Sequence, residues 1–233
     1  MVVDRRTLLP VLALSAMVGL VAPAAAGEIA LDSAGYTFNA PVTTLKELRF
    51  RRVVKQEYDF SCGSAAIATL LTYHYNRPTP EDTVLQAMFA VGDKEKIRSE
   101  GFSMLDMKKY LESLGYRTEG YNVGLDKIAQ VGIPGIVLIK TKGYLHFVVL
   151  KGVRGDQVLV GDSALGTKFM TREKFQEIWN GVFLVILTGV REAKNEFNLD
   201  KDWEGQVAAP LGGALSRDTL ATLTLLMPGR NNF

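Results

Sequence analysis

The chain has 233 residues, 47% hydrophobic and 22% charged, with a formal net charge of +2. That balance is ordinary for one sizeable domain with extensions, and it excludes both a strongly basic nucleic-acid binder and a highly charged disordered chain. Cys62 is the only cysteine, which excludes an intramolecular disulfide.

Residues 1–26 read as a secretory signal peptide. Arg5 and Arg6 form its basic start, Leu8 to Val21 its apolar core, and Ala24-Ala25-Ala26 a small-residue cleavage site before Gly27. Removing them takes away Arg5, Arg6 and Asp4 and leaves a charge of +1. An uncleaved anchor is the weaker alternative, since the apolar core is short for a bilayer and no later segment reaches the ~18 apolar residues of a spanning helix. The expectation is an exported protein, periplasmic or otherwise extracytoplasmic, with no membrane span after signal removal.

Residues 27–53 form a lead-in without sustained periodicity, holding at most one short strand. The basic residues Lys46, Arg49, Arg51, Arg52 and Lys55 are interleaved with apolar ones and Glu47, which predicts a solvated segment and no nucleic-acid partner. An apolar helix is expected from Cys62 to about Tyr75, ended by Asn76-Arg77-Pro78. Thr79 and Pro80 restart a helix as N-cap and first residue, with Glu81 and Asp82 in its first turn. Gly92 to Gly101 is charged and reads as a loop. Ser103-Met104-Leu105-Asp106 is a capping-box pattern before another helix that stops at Gly115.

A strand over Arg117 to Val123 and a short helix over Leu125 to Gln130 follow. Gly135 to Lys140, Tyr144 to Val153 and Gln157 to Asp162 are β-branched runs divided by glycine turns, the pattern of antiparallel hairpins. Thr171 caps a helix through Trp179, and Val182 to Val190 makes a last strand. Helices followed by an antiparallel sheet give an α+β fold over 54–190. The remaining 191–233 reads as a tail with one amphipathic helix, Ser216 to Met227, and with Gly212-Gly213 as a hinge.

Chemistry centres on Gln56-Glu57-Tyr58-Asp59-Phe60-Ser61-Cys62-Gly63-Ser64. Cys62 sits where polar turn residues give way to the helix, so its sulfur lies near a helix N-terminus that favours thiolate. An unpaired cysteine in an exported chain also points toward function, because a free thiol risks oxidation there. Gln56 is positioned to offer an amide donor to a developing oxyanion.

A thiol nucleophile needs a base, and the base needs an orienting acceptor. His74 follows Cys62 by about three turns of the same helix, more than ~10 Å at 1.5 Å rise per residue, and is expected to be structural. His146 opens a strand and Asp162 ends the next one. A turn near Gly155 brings Asp162 opposite His146, across strands about 5 Å apart.

The elements Gln56, Ser61-Cys62-Gly63, His146-Phe147-Val148-Val149 and Asp162-Ser163-Ala164-Leu165-Gly166 resemble those of the bacteriocin-processing (C39) peptidase family of papain-like cysteine proteases. The resemblance covers about Val54 to Leu187. It implies a papain-like fold with the N-terminal helical part packed on the C-terminal sheet. It further implies Cys62 as nucleophile, His146 as general base and then acid, Asp162 as orienter, Gln56 as oxyanion donor, and no metal or cofactor. Ser61 stands where many members carry Asp, a helix-cap exchange. The chain is free-standing and so also resembles the C39-like protein of functional-amyloid secretion systems. A peptide or protein substrate is implied, with secretion-system or amyloid components as partners.

Other readings are weaker. Gly161-Asp162-Ser163 matches a serine-hydrolase element, but no histidine follows Ser163. Two histidines and one cysteine lack metal-ligand spacing. The serious rival is a non-catalytic peptide-binding or chaperone-like module of the same fold.

Overall fold

The computed structural model describes residues 28–33, 36–41, 44–141 and 143–204. The signal segment and the helix expected at Ser216 to Met227 lie outside the described residues. The chain divides into two units, residues 1–44 and 45–233. In the first, β1 (Glu28–Ser33) and β2 (Tyr36–Pro41) pair antiparallel, Ser33 opposite Tyr36. The lead-in therefore holds a hairpin in place of one short strand.

The second unit opens with α1 (Leu45–Phe50) and α2 (Cys62–His74). Small residues line α2, so neighbours approach on every side, and Ala65, Ile67, Ala68 and Leu71 are fully buried. An all-round apolar helix must be a central one. Its start differs from expectation: Ser61 makes no cap bond, its hydroxyl instead accepting from the Tyr58 N–H at 3.1 Å and donating to the Tyr58 carbonyl at 3.0 Å.

Next comes α3 (Glu81–Val91), with Pro80 rather than Thr79 at the cap. The expected loop from Gly92 to Gly101 contains α4 (Lys94–Glu100). The Asp93 carboxylate accepts from the Glu95 and Lys96 amides, and this cap starts a helix that buries only Ile97. Helix α5 (Met104–Ser113) has the expected capping box between Ser103 and Asp106.

Strand β3 (Thr118–Asn122), helix α6 (Leu125–Val131), strands β4 (Gly135–Thr141), β5 (Tyr144–Arg154), β6 (Gln157–Asp162) and β7 (Gly166–Thr171), helix α7 (Arg172–Ile178) and strand β8 (Trp179–Ile186) follow. They build a six-stranded antiparallel sheet in the order β3-β8-β4-β5-β6-β7. Strand β7 fills a stretch to which the sequence assigns no element, and β8, expected from Val182, begins at Trp179 and runs through Gly181. The fold is α+β, with α2 packed on β4, β5 and β6 around a core that includes Leu70, Val148, Val160 and Ile186.

Beyond the sheet, α8 (Val190–Asn195) and α9 (Asp200–Trp203) fold back onto the domain, burying Ala193 and Phe197. Val190 thus starts a helix rather than ending a strand, and the packed body continues past the expected start of the tail. A β-bulge between Leu150 and Gly152 leaves Lys151 out of the β5–β6 ladder. Its fully buried ammonium lies 3.0 Å from Asp202, and its carbonyl accepts from the Asn198 N–H at 2.9 Å. At Gly152 a Cβ would stand 3.2 Å from the Asn198 Cα. Arg52, expected in a solvated stretch, pairs with Asp202 at 3.0 Å and with Glu196, its side chain only 13% exposed.

Candidate active site

Cys62 is the first residue of α2, whose first amides have no intrahelical partner. It is 8% exposed and lines a groove of about 1140 Å³. Helix α4, Phe60, Phe102, Met104 and Tyr144 and Leu145 at the start of β5 form the groove's other surfaces. Leu105, Tyr144 and Leu145 present exposed apolar side chains there.

His146 comes from β5 and Asp162 from the end of β6. Asp162 is opposite Val148 rather than His146, because the turn pairs Arg154 with Gln157 and the bulge slips that register by only one residue. His146 and Val148 point to one face, two residues apart, so a diagonal contact replaces the direct one. His146 Nε2 is still 2.9 Å from Asp162 Oδ1. An ionised carboxylate only accepts, so Nε2 carries the proton. The Cys62 side chain is a second neighbour that acts on the charge of His146.

Asp162 is anchored by its own turn. Its Oδ1 also accepts from the Ala164 and Leu165 amides at 2.9 and 3.1 Å, and Oδ2 pairs with Lys168 at 3.1 Å. Burial opposes its ionisation, but the His146 hydrogen bond and the His146 and Lys168 charges prevail and lower its pKa to about 2. Burial likewise works against charge on His146. Its hydrogen bonds to Asp162 and Cys62, and the charges of both, overcome that and raise its pKa to about 9. Lys168 escapes a reading that lacks β7. In the β6–β7 register it faces Val160, diagonal to Asp162.

The Gln56 amide lies between two loops. Its Nε2 donates to the Tyr58 carbonyl at 3.0 Å, and its Oε1 accepts from the Ser163 hydroxyl at 2.8 Å. Behind Cys62, Ser64 Oγ is 2.7 Å from buried Glu81 and 2.8 Å from the Ser61 carbonyl. His74 is fully buried and bonds the Glu196 carbonyl at 3.2 Å through Nδ1. It is a core histidine, where the sequence left a surface or a core position open. Thus Cys62, His146 and Asp162 meet, Gln56 is tied to the residue after Asp162, and His74 stands apart.

A cysteine-bearing helix facing a histidine and carboxylate on an antiparallel sheet is the arrangement of a papain-like cysteine peptidase. The family model described as "Peptidase C39 family" matches residues 51–190, and the chain belongs to that family. It is similar to the probable functional amyloid protease FapD of Pseudomonas aeruginosa, 44% identical over 178 residues that span 76% of this chain and 78% of the relative. The protein of the same name from Pseudomonas fluorescens is 41% identical over 170 residues, spanning 72% and 75%. Among solved structures, the peptidase domain of Streptococcus ComA, described as a bifunctional ABC transporter in quorum sensing, aligns with a TM-score of 0.50. At 22% identity over 58% of this chain and 96% of that one, it shares the fold.

Proposed function

We propose that the protein is an exported cysteine endopeptidase that cleaves a peptide or protein of a functional-amyloid secretion system. The observation that carries this is the His146–Asp162 hydrogen bond at 2.9 Å beside Cys62, which itself lines an open groove with apolar side chains on its surface. Likeness to the two proteins named as functional amyloid proteases supports the amyloid connection, and the N-terminal 26 residues, read as a signal peptide, support the extracytoplasmic location.

In the proposed reaction the Cys62 proton passes to His146, which Asp162 holds in place, and the sulfur becomes thiolate. The thiolate attacks the scissile carbonyl, and the oxyanion is met by the Gln56 amide and the free amides at the start of α2. His146 gives its proton to the leaving amine as the C–N bond breaks, leaving a thioester on Cys62. Neutral His146 then takes a proton from water, the hydroxide adds to the thioester, and the acid product departs as the thiol returns. Asp162 keeps the imidazole in place throughout.

The test uses the protein without residues 1–26 and the amyloid subunits secreted by the same cell. Cleavage followed by mass spectrometry is expected for the wild type and absent from Cys62→Ala and His146→Ala proteins with unchanged circular dichroism. Cleavage persisting in Cys62→Ala would overturn the assignment. Retained function in that variant, with undiminished binding, would favour the non-catalytic peptide-binding module.

A further inference from the structure

The tripeptide Gly161-Asp162-Ser163 leaves a hydroxyl that the proposed chemistry does not use. Ser163 is 2% exposed, so it is no free nucleophile. It grips Gln56 twice: its carbonyl accepts from the Gln56 N–H at 3.1 Å, and its hydroxyl donates to Gln56 Oε1 at 2.8 Å. We propose that Ser163 is a positioning residue that holds the Gln56 carboxamide with its N–H edge toward the loop leading to Cys62. This rests on the peptidase reading above.

The two ends of a carboxamide have nearly the same shape, so its partners decide which way it faces. The Tyr58 carbonyl only accepts, and at 3.0 Å it selects the NH2 end. Ser163 selects the oxygen end from the other side. One N–H of Gln56 is used on Tyr58, and the second serves the substrate oxyanion. Donation into Oε1 polarises the amide and strengthens that N–H as a donor. Because Ser163 follows Asp162 directly, a single turn orients the base through its carboxylate and the oxyanion donor through its hydroxyl. A Ser163→Ala protein keeps the backbone bond to Gln56 but leaves its amide held from the Tyr58 side alone.

Two reagents separate the roles. Iodoacetamide alkylates a thiolate by displacement at a saturated carbon and forms no oxyanion. p-Nitrophenyl acetate acylates it: the S–C bond forms through a tetrahedral oxyanion, and the C–O bond to nitrophenolate breaks. Ser163→Ala and Gln56→Ala are expected to slow acylation about tenfold or more while leaving the rate and pH profile of alkylation unchanged. The double variant should acylate no more slowly than Gln56→Ala alone, since both remove one interaction. Acylation at the wild-type rate in Ser163→Ala, parallel loss of both reactions, or additive effects in the double variant would overturn the positioning role. A wild type that reacts with neither reagent, or a nitrophenolate burst that survives Cys62→Ala, would overturn the peptidase reading itself.

Discussion

At the scale of single residues, His146 is under opposing pulls. Burial alone would keep it neutral, yet the thiol on one side and the carboxylate on the other raise its pKa to about 9. The proton therefore rests on imidazole through the neutral range, and activity should persist to about pH 9 and fall above it as the ion pair is lost. Asp162→Asn removes the main charge and hydrogen bond that raise that value. The alkaline limb of the pH–rate profile should move to lower pH, and turnover should drop by roughly 10²-fold or more with weak residual activity. An unmoved limb would mean that Asp162 does not set the histidine's charge. The candidate nucleophile, base and orienter were legible in the sequence because few residues could fill each role: one cysteine, and two histidines of which helix geometry removes one. Lys168 and the Ser163 hydroxyl were not legible. Each acts through a contact that depends on the β6–β7 hairpin or on a loop a hundred residues away.

Among the elements, the segment from α8 to α9 does the most that sequence patterning does not announce. Its apolar residues are few, and it holds to the domain largely through polar groups. Asp202 pairs with both Lys151, which the bulge in β5 turns into the interior, and Arg52, which Glu196 also holds. Desolvation lowers the Lys151 pKa to about 8, opposed mainly by Asp202. Removing one partner of a buried pair leaves a bare charge, so Asp202→Ala should destabilise the protein by about 3–5 kcal/mol in urea unfolding. A loss below about 1 kcal/mol would show the pair to be solvated. Truncation after Val190, near the end of the family match, should likewise yield an unstable domain, with hydrogen exchange increased around Lys151 and His74. Helix α4 and strand β7 also eluded the sequence reading. Each is short and mixed in polarity, and each is held by one capping carboxylate or by pairing along a strand edge. At Gly166, with φ near 82° and the Arg49 backbone within 2.9 Å of where a Cβ would stand, β7 begins only because glycine permits the close approach of α1.

For the whole molecule, protonation links the site to stability. Asp162, with its pKa lowered to about 2, stabilises the fold fully above the unfolded carboxylate value of roughly 4, and loses that contribution as pH falls toward 2. His146, with its pKa raised, contributes fully below roughly 6.5 and loses its contribution as pH rises toward 9. Melting temperatures of wild type and His146→Ala should therefore differ most between about pH 4 and 6.5 and converge near 9. A constant gap would show that the histidine contributes packing alone. Lys151 has the opposite sign. Its lowered pKa means that stability is recovered as pH rises from about 8 toward 10.5.

The sequence by itself determined the α+β layout, the central helix beginning at Cys62, and the candidate residues for nucleophile, base and orienter. Periodicity, caps and residue scarcity are local properties, readable along the chain. Only the tertiary structure decided how these parts meet: the bulge that turns Lys151 inward and sets Asp162 diagonal to His146, the turn that grips both Asp162 and Gln56, and the C-terminal helices closing over a buried ion pair. Register slips, buried charges and amide orientation depend on partners distant in sequence, and no local pattern encodes which partner a folded chain will supply.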